Sequence, residues 1–133
     1  MLNDRPLILI LASLLAAGCQ TSGFKDFDLG ALPYPGTSLL KQGIKEYREG
    51  SYRVATRRLQ SALEEGLRRP ERVKAHKYLA FIACVSNQLQ TCGEEFAIAL
   101  ELNPNFQLTS AEAGHPIWGP IFKSVKAQQA KQP

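Results

Sequence analysis

Histidine and cysteine are scarce in this chain of 133 residues: His76 and His115, and Cys19, Cys84 and Cys92. No H-E-x-x-H, C-x-x-C, Gly-rich phosphate loop or G-x-S-x-G occurs, so the commonest zinc, dithiol, nucleotide and serine-hydrolase constellations are excluded. His76 falls on a helix face expected to be packed, where a satisfied core or interface histidine outweighs a metal ligand. His115 precedes Pro116 and is expected to fix the start of the last helix. The adjacent pairs Glu64-Glu65 and Glu94-Glu95 point to different helix sides, as surface charge does. The expectation is a protein that is not an enzyme, with no metal, no catalytic residue and no small-molecule substrate. Long apolar runs are missing too. The longest, Leu7 to Ala17, has eleven residues interrupted only by Ser13, whereas a bilayer-spanning helix needs about 20.

That short run follows Arg5 and ends in small residues at Gly18-Cys19, the layout of a secretory signal peptide. Its close, Ala16-Ala17-Gly18-Cys19, resembles the lipobox of bacterial lipoproteins. The resemblance implies cleavage before Cys19, acylation of that residue, and a lipid as the only covalent group, with no cofactor. An ordinary signal peptide cut nearby would leave Cys19 a plain cysteine. Gln20, where enterobacterial lipoproteins kept in the inner membrane carry Asp, implies the periplasmic side of the outer membrane.

Residues 1–18 are thus read as the signal and 19–36 as a lipidated flexible tether, punctuated by Gly and Pro. Residues 37–127 are read as one helical domain, and 128–133 as a frayed tail. The net charge is +4 but unevenly spread. Lys41 to Lys77 carries eleven Lys/Arg against five Glu, while the stretches 19–40 and 78–133 are each about −1. A basic half suits an acidic partner surface or anionic headgroups, or it is a solvated helix face. An export signal argues against nucleic acid.

Helical spacing dominates from Thr37 or Ser38, either of which could cap. Leu39, Leu40, Gly43, Ile44 and Tyr47 mark one stripe, and Gly50 breaks it. Tyr52, Ala55, Leu59, Ala62 and Leu63 mark the second, with Ser51 as cap, ending near Gly66. Pro70 and Glu71 suit the first turn of a third helix, whose stripe is Val73, His76, Leu79, Ala80, Ala83 and Cys84. Cys92, Phe96, Ala99, Leu100 and Leu102 mark a fourth, stopped at Asn103-Pro104.

The run Gly43-x3-Tyr47-x2-Gly50-x-Tyr52-x2-Ala55-x3-Leu59-x2-Ala62-Leu63 resembles a tetratricopeptide repeat. A second unit runs Leu79-Ala80-x2-Ala83-x8-Cys92-x3-Phe96-x2-Ala99-x4-Pro104, with Ala83 where tyrosine is frequent and Cys92 in the small-residue place. The resemblance implies an all-α fold of two helical hairpins, 37 residues apart from Ala55 to Cys92, with Arg69-Pro70-Glu71 absorbing the excess over the usual spacing. It sets Cys84 late on one helix and Cys92 early on its neighbour. A disulfide there would close a loop of about nine residues, worth about 2.5 kcal/mol; the alternative is two small buried thiols.

Two repeats leave an apolar side open. The C-terminal segment is the available cover: a short turn capped by Thr109 or Ser110 with Glu112, then a helix bearing Ile117, Trp118, Ile121, Phe122 and Val125. Trp118 either fills the gap of a missing third repeat or is a partly exposed anchor for a partner. His115, Trp118 and Phe122, with Arg53 and Arg57 on the basic face, are the candidate partner-binding residues. The block Gly114-His115-Pro116-Ile117-Trp118-Gly119-Pro120, with Cys19 and the Cys84/Cys92 pair, resembles the TssQ family of lipoproteins associated with type VI secretion. That implies an accessory envelope component whose partner is a protein of the secretion membrane complex. A pilotin-like chaperone for a secretin or pilus component, and a basic peptidoglycan- or lipid-binding spacer, are the competing readings.

Overall fold

Three connectors of three residues each set the path of the chain, and connectors that short force successive helices to run antiparallel. In the computed structural model, which describes residues 34–132, they join α1 (Gly36–Arg48), α2 (Tyr52–Glu65), α3 (Arg69–Val85) and α4 (Leu89–Leu102). A four-residue turn, α5 (Ser110–Ala113), and a last helix, α6 (Trp118–Gln129), follow, and every regular element among the described residues is helical. The expected signal, Cys19 and the tether as far as residue 33 lie outside the described residues.

The internal repeat is visible in the helix bounds. Adding 37 to the limits of α2 gives those of α4, and adding it to Arg48, the end of α1, gives Val85, the end of α3. α3 begins a turn earlier than its counterpart, so Arg69, Pro70 and Glu71 absorb the excess as its first turn, where Pro70 and Glu71 were expected. Burial repeats with the same step. Ala55 and Cys92, Leu59 and Phe96, and Ala62 and Ala99 are all fully buried. Under this register Cys84, not Ala83, stands where Tyr47 stands in the first unit.

Within the first hairpin the close approach is at Gly43, where a Cβ would come within 2.8 Å of Leu59 Cγ. Leu40, Ala55, Leu59, Ala62 and Leu67 form its core and meet Ala75, Leu79 and Ile82 of α3. The other side of α3 supplies Ala80, Phe81, Ala83 and Cys84 to a second core with Cys92, Phe96, Leu100, Leu108, Trp118 and Phe122. α3 is thus buried on two sides, and the single stripe expected from its sequence misses Ala75, Phe81 and Ile82. A helix covered from two directions has little amphipathic contrast, so the spacing of its apolar residues marks only part of what is buried.

Several expected caps are replaced. α1 begins at Gly36, whose N–H donates to Gly66 O at 3.1 Å, so the last tether residue is packed into the domain. Thr37 caps nothing; its hydroxyl donates to Glu71 Oε1 at 3.0 Å and ties α1 to α3. Ser51 makes no side-chain cap. The tail also differs from expectation, because α6 continues to Gln129, whose Nε2 donates to Ala97 O at 2.9 Å. Gln129 is therefore held on α4.

Candidate interaction surfaces

α6 covers the open side of α4 much as α3 covers that of α2. Phe122 meets Phe96 edge-on at 5.1 Å and Phe106 at 5.5 Å, while Ile121 and Val125 line the space above Gly93. The chain can turn into α6 because Gly119 lies against the Ala113 carbonyl, where any Cβ would collide. Trp118 stacks on Phe81 at 4.3 Å, and its Nε1 donates to Glu112 O at 2.8 Å. Trp118 is 8 % exposed and Phe122 6 %. Both rings belong to the core packed on α3 and α4, so the reading of Trp118 as an exposed anchor, and of Phe122 as an exposed binding residue, is corrected. Ile117, expected to lie on the hairpin, is instead 40 % exposed.

His115 is half-buried, stacked parallel on Trp118 at 3.3 Å, and its Nδ1 accepts the Ile117 N–H at 3.2 Å. It fixes the start of α6 and presents little free surface. His76 Nδ1 lies 2.6 Å from Glu95 Oε2 across the α3–α4 contact, so Glu95 is a pairing residue and only Glu94 of that acidic pair is fully exposed. Among the described residues no group of three or more His, Cys, Asp or Glu is placed to hold a metal.

The site that sequence reasoning missed is the tie between α3 and α5. Thr109 caps α5, its hydroxyl accepting the Glu112 N–H at 3.2 Å while Glu112 Oε2 accepts the Thr109 N–H at 3.0 Å. The other oxygen, Oε1, accepts from Lys77 Nζ at 2.6 Å. Burial alone would push the Glu112 carboxyl up, but Lys77 and the Thr109 groups together hold it below the usual carboxylate range. The capping spacing from Thr109 to Glu112 is legible in sequence; the reach to Lys77, 35 positions away, is not. Beside it Tyr47, Tyr78 and Phe81 form an aromatic cluster, Tyr47 lying 5.0 Å from Tyr78 and 6.2 Å from Phe81. Burial first, then Tyr52, Tyr78 and Glu112, push the Tyr47 hydroxyl above its ordinary value.

Cys84 and Cys92 are joined across the α3–α4 turn, Cα–Cα 5.1 Å. Asn87, at φ +60°, makes that turn tight enough for the bond. Arg53 and Arg57 are exposed on the outer face of α2 with Arg58, and Val54, Arg57, Arg58 and Ser61 line a shallow groove of about 280 Å³. Among the described residues no ion pair or hydrogen bond engages the side chains of these arginines, nor those of Glu64 and Glu65 on the same helix. No helix among the described residues is long and apolar enough to cross a membrane.

No known protein family, no curated protein and no solved structure matches this chain.

Proposed function

We propose that the protein is an exported, lipid-anchored, non-catalytic adaptor with two tetratricopeptide-like hairpins, serving assembly of a type VI secretion membrane complex at the periplasmic side of the outer membrane. The observation that carries the adaptor reading is the 37-residue duplication. Two hairpins repeat bounds and burial, and their own C-terminal helix closes the stack, so the outer helix faces are left for partners. Gly43 against Leu59, with Ala80 at the corresponding place on α3, supports the repeat assignment, since that architecture needs small residues where its helices cross. The lipobox-like ending at Cys19 supports the anchor, and the Gly114 to Pro120 block supports the secretion role. Fixing such a domain at a membrane raises its effective concentration towards anything else held there.

Deleting the gene tests the role: release of contractile-tube protein should fall. Normal release together with a mislocalised secretin contradicts it. Cys19→Ser tests the anchor: the variant should leave the membrane fraction and lose acyl labelling, and unchanged fractionation contradicts it.

A further inference from the structure

The charges on α2 are placed against its own helix dipole. A helix N-terminus carries partial positive charge and its C-terminus partial negative charge, so acids favour the first turn and bases the last. α2 has no acid in its first turn and no base in its last. Arg53 is its second residue, Arg57 and Arg58 follow one turn on, and Glu64 and Glu65 are its final two. Arg53 in the first turn and Glu64 and Glu65 in the last therefore each oppose the dipole, and no ion pair among the described residues offsets them. Nothing within the described fold accounts for the pattern.

Helical geometry puts these charges on one strip. Arg57 and Glu64 are seven residues apart, two turns and about 10 Å along the same line, with Val54 and Ser61 between the charged rows. The strip is basic over its first half and acidic over its second, and such a pattern is complementary to itself when one copy is turned end for end. With a two-fold axis at Ser61, each row meets the same row of the second copy, so Arg57 faces its Glu64, Arg58 faces its Glu65, and each pair occurs twice. Arg57 and Arg58 then lie beside the last turn of the opposing helix, where its glutamates and its negative end both stand. Charges left unpaired within one helix become pairs between two. The shallow groove at Val54, Arg57, Arg58 and Ser61 lies at the centre of this strip.

We infer that α2 is a homodimerisation face, pairing antiparallel with α2 of a second copy about a two-fold axis at Ser61. The corresponding strip of α4 cannot do this. Thirty-seven residues on, Arg57, Arg58 and Glu64 become Glu94, Glu95 and Glu101, charges of one sign, and Glu95 is held by His76. A contact of α2 on α4 of a second copy would set Glu64 against Glu101 or, turned end for end, against Glu94. A uniformly anionic surface would meet repulsion from Glu64 and Glu65. The second copy is the occupant whose charge fits both halves of the strip. This dimer is independent of which secretion or envelope protein the adaptor serves.

The test is disulfide crosslinking in the full chain. Ser61→Cys places thiols on the axis, and under mild oxidant it should give a reducible homodimer well beyond that of the parent or of Gln42→Cys on α1. Adding R57E/R58E should lower the crosslinked fraction about tenfold, since four cross-pair attractions become repulsions. Adding E64R/E65R should do the same. Co-expressing the two reversed chains should restore the crosslink, now between them. R57E/R58E changes exposed side chains that pair with nothing within the described fold, so its melting temperature at low protein concentration should not fall, which separates lost dimer from lost fold. The inference is overturned by a Ser61→Cys homodimer no stronger than that of Gln42→Cys. It is also overturned by a crosslink that ignores the charge reversals, or by a Ser61→Cys crosslink only to a different protein. All readouts are of subunit contact, so a failed secretion phenotype leaves the inference standing, and a failed crosslink leaves the adaptor role standing.

Discussion

The two hairpins share a register but are held together differently. α1–α2 closes through small contacts, Gly43 on Leu59 and Ala55 and Ala62 beneath them, and it has no covalent link among the described residues. α3–α4 has Phe96 where α2 has Leu59, a disulfide at its turn, and α6 laid over its open side. Phe81, Phe96, Trp118 and Phe122 form a continuous aromatic core there. Among the described residues one half is therefore stapled and covered, and the other has an outer helix that nothing covers. The two hairpins share their geometry and differ at matching positions: one is crosslinked and covered, the other carries exposed charge on its outer helix.

The largest expected effect probes the aromatic half. Phe96→Ala should cost about 3–5 kcal/mol in urea unfolding, because a fully buried ring is replaced by a cavity. Leu59→Ala at the matching place should cost about 2–5 kcal/mol and towards the lower end, since less volume is removed. Equal losses would remove the energetic contrast. Next is the staple: replacing both Cys84 and Cys92 by Ala should cost about 2–3 kcal/mol, and reductant should then no longer affect the melt. An unchanged melting temperature on reducing the parent contradicts the staple.

Gly43→Ala follows. The added methyl meets Leu59 Cγ at 2.8 Å, so about 1–3 kcal/mol should be lost to overpacking. The gain in helix propensity offsets about 1 kcal/mol of that. The smallest effect concerns acid stability. Glu112 is held below its unfolded value, so its contribution is complete above the ordinary carboxylate pKa and disappears as pH falls through the depressed folded value. Glu112→Gln should therefore flatten the acid limb of the stability curve below about pH 4.5 and cost less than about 2 kcal/mol at neutral pH. Parallel acid limbs for parent and variant contradict the Lys77 tie.

Sequence spacing locates the four hairpin helices because each has at least one face whose apolar residues recur at three or four. It identifies Ala55, Leu59, Phe96 and Ala99 as core for the same reason. It fails where burial comes from two directions, as in α3, and where a cap is taken by a distant group, as at Thr37. Trp118 shows a further limit. Composition marks it as unusual, but only the stack on Phe81 and the bond to the Glu112 carbonyl decide between core and contact. The α2 strip was legible as a basic face. Its self-complementary zoning becomes meaningful once Arg57, Arg58, Glu64 and Glu65 are known to lack partners within the described fold.

Native-state hydrogen exchange, resolved by helix, measures the contrast between the hairpins most directly, because each amide reports the free energy of its own opening. In salt high enough to screen the α2 charges, the slowest amides should lie in α3 and α4, around Phe81, Cys84 and Phe96. Those of α1 and α2 should open at least about 1 kcal/mol more easily. Uniform protection across both hairpins, or slower exchange in α2 than in α4, contradicts the division into a stapled half and an open one.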